Sequence, residues 1–335
     1  MRVILCGFGA VGQGLARLFE SRADDLHARF GLKPRIVGVA DSGGAVHDAS
    51  GLRAGSLVAA KARGGSVASC GGRAGMAGSE LVADADADVL VETTSSNYAD
   101  AEPGMSHITA AMARGMHVIS ANKGPLALAF PSLMELAAHN GVSLRFSGTV
   151  GGGTPILDYA KNSLRGERIV SFRGILNGTT NYILSAMAGG MSPEGALADA
   201  RSRGYVEADE SLDLDGIDAA AKLVILANWV MGMKVTLPDV ERTGIRGVGA
   251  DDVRRAAGAG SAIKLIAECD GGLSVGPSDV RTDDPLCVNG TLNGISFVSE
   301  HSGTQTVIGR GAGGTETASS IVRDLLDIRR DMASR

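Results

Sequence analysis

Two lysines stand where a merely solvated charge is out of place. Lys123 follows the apolar run Val118-Ile119-Ser120 and is framed by Ala121-Asn122 and Gly124-Pro125. A lysine just past a buried strand would sit at the rim of a ligand crevice; an ordinary turn lysine is the plainer alternative. Lys222 lies among Leu223, Ile225, Leu226 and Trp229, four residues after Asp218. That spacing puts Asp218 and Lys222 on one helix face, where an exposed pair would add only roughly 0.2–0.5 kcal/mol. If the apolar neighbours bury the lysine, desolvation disfavours its charge and Asp218 favours it. A lysine so balanced suits proton transfer to or from an alcohol. The acidic stretch before it contributes Glu207 and Asp213 as anionic partners for a substrate ammonium.

These groups need elements to hold them. Val3-Ile4-Leu5-Cys6 is a short continuous apolar run, the pattern of a buried parallel strand. Gly7-Phe8-Gly9-Ala10-Val11-Gly12 follows at once, and Leu15, Leu18 and Phe19 then recur at helical spacing. Strand, glycine turn and helix in this order predict a dinucleotide-binding turn. Its first glycine permits the tight turn, its second admits a pyrophosphate, and its third lets helix and strand pack closely. The helix N-terminus offers free N–H groups to the phosphates.

The next apolar run, Ile36 to Ala40, ends at Asp41. A carboxylate there predicts hydrogen bonds to the adenine ribose and a lean toward NAD over NADP. The alternative is that Asp41 caps a turn with Ser42-Gly43-Gly44; Arg53 and Lys61 nearby could still tolerate a phosphate. Residues 43–80, rich in Gly, Ala and Ser, read as an extended, partly mobile crossover with a helix near 56–63. The strand at Asp88 to Glu92 ends in Thr93 and Thr94, which are candidate cofactor contacts because ligands bind beyond the carboxyl ends of parallel strands. Turn chemistry is their other reading. Phe146 to Pro155 carries a strand into a triple glycine, where phosphate, a cation or tight packing all remain open. Asn177 or Thr179 is expected to cap the helix that follows the strand Ile169 to Ile175.

The bulk composition narrows the field. The chain has 335 residues, 44% hydrophobic and 21% charged, with a formal net charge of −5. Length alone suggests two domains. The charge leaves no footprint for nucleic acid or an anionic membrane. Cys6, Cys70, Cys269 and Cys287 have no metal-binding or disulfide spacing. Met1 leads straight into Arg2-Val3-Ile4-Leu5, with no cleavable apolar leader, so the cytoplasm is the expected location.

Several long segments together resemble the homoserine dehydrogenase family. They are Asn177 to Leu184, Gly204 to Asp209, Asp215 to Lys222, Ala121 to Pro125, and the glycine-rich tail Gly309 to Ala318. The resemblance runs over nearly the whole chain in the right order. It implies an α/β fold: a Rossmann-type NAD(P)-binding domain (1–145 plus 305–335) with an inserted α+β catalytic and dimerisation domain (146–304), acting as a homodimer. The implied reaction interconverts L-homoserine and L-aspartate 4-semialdehyde, with hydride exchanged at the nicotinamide.

By the same resemblance Lys123 and Lys222 are the proton-transfer residues and Asp218 orients Lys222. Glu207, Asp213, Thr180 and Gly204 hold the substrate. Gly311, Gly313 and Thr315 join the first turn in holding the cofactor. Backbone carbonyls of Val150, Gly152 and Thr154 form a monovalent-cation loop, but Ser147 replaces its expected carboxylate, which puts cation dependence in doubt. The short stretch after the returning helix implies no regulatory domain and no threonine feedback. Two other readings remain: a relative acting on another small hydroxy amino acid or alcohol, and a non-catalytic nucleotide sensor, for which the two lysines and their anions would be superfluous.

Overall fold

The computed structural model describes residues 1–206 and 209–333. The chain forms two compact units, 1–153 with the segment from Gly313 onward, and Thr154–Ala312.

The first unit is built on a seven-stranded sheet. Its elements are β1 (Arg2–Cys6), α1 (Ala10–Ser21), α2 (Ala23–Phe30), β2 (Arg35–Asp41), β3 (Gly44–His47), α3 (Ala54–Gly64), β4 (Arg73–Ala74), α4 (Gly78–Asp84), β5 (Val89–Glu92), α5 (Gly104–Ala113), β6 (His117–Ser120), α6 (Gly124–His139) and β7 (Leu144–Arg145). The sheet order is β4-β3-β2-β1-β5-β6-β7. β1 pairs in parallel with β2 on one side and β5 on the other. It is therefore the strand at which the winding reverses, the place where such sheets bind ligands. The continuous apolar run of β1 follows from this position, because both faces and both edges are covered.

Residues 43–80 are not an extended crossover. β3 turns back antiparallel onto β2, with Asp41 opposite Gly44, and β4 extends that edge. Gly44 has φ +144°, and a Cβ there would lie 2.4 Å from the Arg73 carbonyl oxygen. Gly72 acts likewise, its Cβ position 2.2 Å from the Ala45 carbonyl oxygen, so these two glycines let strands approach closely. The expected helix lies inside α3.

The second unit contains α7 (Ile156–Asp158), β8 (Ile169–Ile175), α8 (Gly178–Ala188), α9 (Pro193–Ser202), α10 (Ser211–Leu214), α11 (Ile217–Met231), β9 (Glu241–Arg242), α12 (Ala250–Gly258), β10 (Ser261–Cys269), β11 (Leu273–Arg281), β12 (Leu292–Ser299) and β13 (Gly303–Arg310). Its sheet runs β13-β12-β8-β10-β11-β9. Phe172 on β8 and Phe297 on β12 meet with ring centroids 6.0 Å apart in the core. α11 is buried from Ala219 through Asn228, which explains its apolar composition all round.

The chain then returns to the first unit as α13 (Gly314–Ala333). Ala318, Ile321, Val322, Leu325 and Ile328 recur at helical spacing and join the core around β1 and α1. Burying each large side chain of this stripe contributes on the order of 1.5–3 kcal/mol. Among the described residues, no helix is long and apolar enough to cross a membrane.

Candidate active site

The glycines after β1 separate by function. Gly7 has φ +97°, and a Cβ there would lie 2.5 Å from the backbone of Thr93. Gly12 packs against the Gly7 carbonyl, 2.5 Å from where its Cβ would be. A Cβ on Gly9 would meet nothing within 4 Å. Gly9 is also the N-cap of α1, with no side-chain cap and no acidic residue in the first turn. Uncapped N–H groups beside open space fit a pyrophosphate. Ala10 is exposed and Val11 half-buried at the helix start, whereas the Phe8 side chain lies in the core and can offer only its backbone.

Asp41 stands at the end of β2 as expected, but its carboxylate is engaged within the protein. Oδ1 accepts from the Gly43 amide (2.9 Å) and Ser66 Oγ (2.8 Å); Oδ2 accepts from Lys61 Nζ (2.8 Å) and the Val67 amide (3.0 Å). The side chain is 4% exposed. Burial would raise its pKa, but the bonds from Lys61, Ser66, Gly43 and Val67 outweigh that and hold it below the usual carboxylate range. A carboxylate has about four lone-pair sites, so a ribose hydroxyl could bind only by displacing a donor. The turn-capping alternative is the arrangement observed, and the inference of NAD preference from a free Asp41 falls with it.

Thr93 and Thr94 are likewise committed. Thr93 Oγ donates to the carbonyl of Gly7 (2.8 Å), tying β5 to the glycine turn. Thr94 donates its amide (2.8 Å) and its hydroxyl to Glu92 Oε1. Glu92 is 0% exposed, and its Oε2 lies 2.7 Å from Nδ1 of buried His107. Burial, and Glu92 nearby, push the Cys6 thiol well above its ordinary pKa, so it stays neutral. Sequence reasoning missed the Glu92–His107 pair; its one signal was a glutamate closing an apolar strand. Lys123 is the N-cap of α6, and its amide donates to Ser96 Oγ (2.9 Å).

In the second unit the end of β8 and the starts of α8 and α11 gather one polar cluster. Lys222 is 6% exposed, with Nζ 2.7 Å from Asp218 Oδ2 and 2.7 Å from the Leu176 carbonyl. Asn177 caps α8, accepting from the Thr180 amide at 2.9 Å. Its side-chain NH₂ bridges Asp213 Oδ1 (2.6 Å) and Asp218 Oδ2 (2.9 Å). Burial raises the pKa of Asp213; the Asn177 bond opposes this, Asp218 adds to it, and the net result is upward.

Thr180 is 0% exposed and its hydroxyl bonds to Asn177, so it supports the cap and cannot reach a substrate as arranged. Gly204 is exposed at φ +72°, beside Tyr205, whose carbonyl accepts from Thr179 Oγ (2.7 Å). Glu207 lies outside the described residues.

Residues 7–147 match the family described as homoserine dehydrogenase, NAD binding domain, and residues 155–326 match homoserine dehydrogenase. The chain is 42% identical to a homoserine dehydrogenase of Methanocaldococcus jannaschii, covering 98% of each sequence. It is 39% identical to an NAD(+)-dependent homoserine dehydrogenase of Pseudomonas canavaninivorans, over 98% of this chain and 96% of that one. A crystal structure of a putative homoserine dehydrogenase from Archaeoglobus fulgidus superposes with a TM-score of 0.90 at 39% identity, covering 98% of this chain and 99% of that one.

The chain belongs to the homoserine dehydrogenase family. It is an NAD(P)-dependent oxidoreductase acting on a CH–OH group, with an NAD-binding domain and a catalytic domain.

Two homoserine dehydrogenase features depart from expectation in this chain. In the glycine-rich return, Gly311 is buried, and a Cβ on it would collide with the Asn293 amide at 2.1 Å. Gly311 therefore serves close packing inside the second unit. Gly313 (φ +136°) and Thr315 are exposed where α13 begins.

The second departure is the loop expected to hold a cation. Ser147 donates its amide (3.0 Å) and hydroxyl (2.6 Å) to buried Asp324 of α13. The Gly152 carbonyl already accepts from Ser320 Oγ, and the Gly153 carbonyl from Arg323 Nη1 (3.1 Å). Val150 is buried; Thr154, in the second unit, donates to the Arg310 carbonyl (3.2 Å). Of the three expected carbonyls, those of Gly152 and Thr154 thus already accept hydrogen bonds, from Ser320 Oγ and from the Ile156 amide (2.8 Å).

Proposed function

We propose that this protein is a homoserine dehydrogenase that interconverts L-homoserine and L-aspartate 4-semialdehyde, with Lys222 and Lys123 assisting proton transfer. The observation that carries the reading is the placement of Lys222. Its nitrogen is buried beside Asp218 and beneath the Leu176 carbonyl, next to a second carboxylate, Asp213.

Oxidising an alcohol requires its hydroxyl proton to leave as hydride departs from the same carbon. When bound, the nicotinamide ring supplies the hydride acceptor. Lys222 takes the hydroxyl proton as an amine and, in the reducing direction, polarises the aldehyde as an ammonium. Asp218 holds that nitrogen in place. Asp213, with its carboxyl raised by burial, gains from a cation beside it; the substrate ammonium is that cation, and Glu207 is its second anion. Lys123, at the start of α6, is the second residue proposed for proton transfer.

NAD is the proposed cofactor. Lys61, which could have received a 2′-phosphate, is committed to Asp41 at 2.8 Å. A homodimer is also proposed. Ser171, Arg173, Ser296, Thr304 and Thr306 line a concavity on the second unit's sheet, the surface proposed to meet a second copy. Light scattering at micromolar concentration tests it.

Absorbance at 340 nm with L-homoserine, run separately with NAD and NADP, tests the function. Turnover faster with NAD is expected. A folded, NAD-binding protein that oxidises other hydroxy amino acids but not homoserine would displace this reading.

Turnover is further expected to be the same in sodium, potassium and tetramethylammonium salts at equal ionic strength, because Ser320 and the Ile156 amide already donate to two of the three loop carbonyls. A several-fold activation by one alkali cation would show that these donors yield to a metal.

A further inference from the structure

A directional chain of hydrogen bonds runs through the interior of the nucleotide-binding unit toward Lys123. Asn122 Nδ2 donates to Thr94 Oγ at 3.0 Å and to the Ser95 carbonyl at 3.4 Å. The Thr94 hydroxyl in turn donates to Glu92 Oε1, and Glu92 Oε2 faces His107 Nδ1 at 2.7 Å. On its other side the Asn122 Oδ1 accepts from the Gly124 amide at 2.9 Å. Ser120 Oγ closes the turn by donating to the Asn122 carbonyl (2.8 Å) and accepting from its amide (3.1 Å). Lys123 is thus pinned on both sides, its own amide on Ser96 and the next amide on Asn122.

Two glycines make room for this fit. A Cβ on Gly104 would lie 2.5 Å from Asn122 Nδ2, and one on Gly124 would lie 2.4 Å from the Asn97 carbonyl oxygen. Segments 94–97 and 122–124 therefore dovetail at the carboxyl ends of β5 and β6.

A purely structural anchor would not need an acid here. Burying a carboxylate costs several kcal/mol unless its partners return it, and apolar packing avoids that cost. A fully connected polar network, in contrast, locks one geometry.

We propose that Thr94 and Asn122, anchored on the buried Glu92–His107 pair, are positioning residues that aim Lys123 for proton transfer. This rests on the role assigned above to Lys123. The Thr94 hydroxyl is the central link, since it both accepts from Asn122 and donates to Glu92.

The test is a double-mutant cycle in the whole enzyme using Thr94→Val, Lys123→Ala and their combination, with Thr94→Ser as the conservative variant. A misplacement of about 1 Å can cost about 100-fold in rate, and a smaller shift correspondingly less. Thr94→Val is expected to lower kcat about tenfold, with KM and the dissociation constant for NAD changed less than about twofold. Thr94→Ser restores the rate. In the Lys123→Ala background, Thr94→Val changes the residual rate less than about twofold, because both act through one group.

An undiminished tenfold loss in that background, or an effect confined to cofactor KM, overturns the positioning role while leaving Lys123 in place. Wild-type turnover by Lys123→Ala removes the Lys123 assignment and this proposal with it. If Thr94→Val does not fold, Asn122→Asp takes its place in the cycle: it keeps an acceptor for Gly124 and loses the donor to Thr94.

Discussion

Lys222→Ala is expected to lower kcat for homoserine by about 100-fold or more, the cost of removing a well-placed general acid or base. NAD binding, followed by fluorescence titration, is expected to persist within a few-fold, since Lys222 belongs to the second unit and the glycine turn to the first. The nitrogen is held from two directions, by Asp218 Oδ2 and by the Leu176 carbonyl, so its position does not depend on a mobile surface rotamer. Lys222→Arg is expected to be nearly as damaging as alanine. A guanidinium keeps the positive charge, but it does not give up its proton and its planar fork does not fit a site shaped for one nitrogen. Near-normal turnover by either variant would remove Lys222 from proton transfer.

Asp218→Ala is expected to act first on stability. It leaves a lysine that is 6% exposed without its carboxylate, inside the most buried helix of the unit. Breaking a buried ion pair from one side costs about 3–5 kcal/mol. Asp218 also lies in the first turn of α11, where a negative charge is favourable, so the loss has a second, smaller source. The double variant Asp218→Ala/Lys222→Met is expected to recover most of that stability, because no unpaired charge remains, while staying inactive. Urea midpoints for the single and double variants read this directly. A double variant as unstable as Asp218→Ala would mean that the bond from Asn177 to Asp218, rather than the pair with Lys222, dominates.

Much of the candidate site's polar cluster was legible in order along the chain. The spacing of Asp218 and Lys222, the apolar setting of that lysine and the Asn177 cap are local features, and helix periodicity brings them into register without help from distant residues. The glycine turn after β1 was legible for the same reason. Misreadings came where side-chain hydrogen bonds close over distance. Asp41 stays open in the sequence between a ribose contact and a turn cap, because three of its donors, Lys61, Ser66 and Val67, lie 20 or more residues away. Thr94 and Thr180 have the polarity of ligand contacts, yet both spend their hydroxyls on buried neighbours. Glycine content misled across residues 43–80, since close approach between strands and a flexible loop use the same residue.

What the sequence by itself determined was the family, the dinucleotide turn, and which residue types could carry the chemistry. These follow from short spacings whose geometry is set by the backbone. The tertiary structure decided which polar groups are already satisfied. Glu92 meets His107 across 15 residues, and Ser147 meets Asp324 across 177. A carboxylate or carbonyl has few lone pairs, and whether a ligand can use them depends on who reached them first. That competition is won by chain segments brought together only when the sheet and its returning helix close around one core.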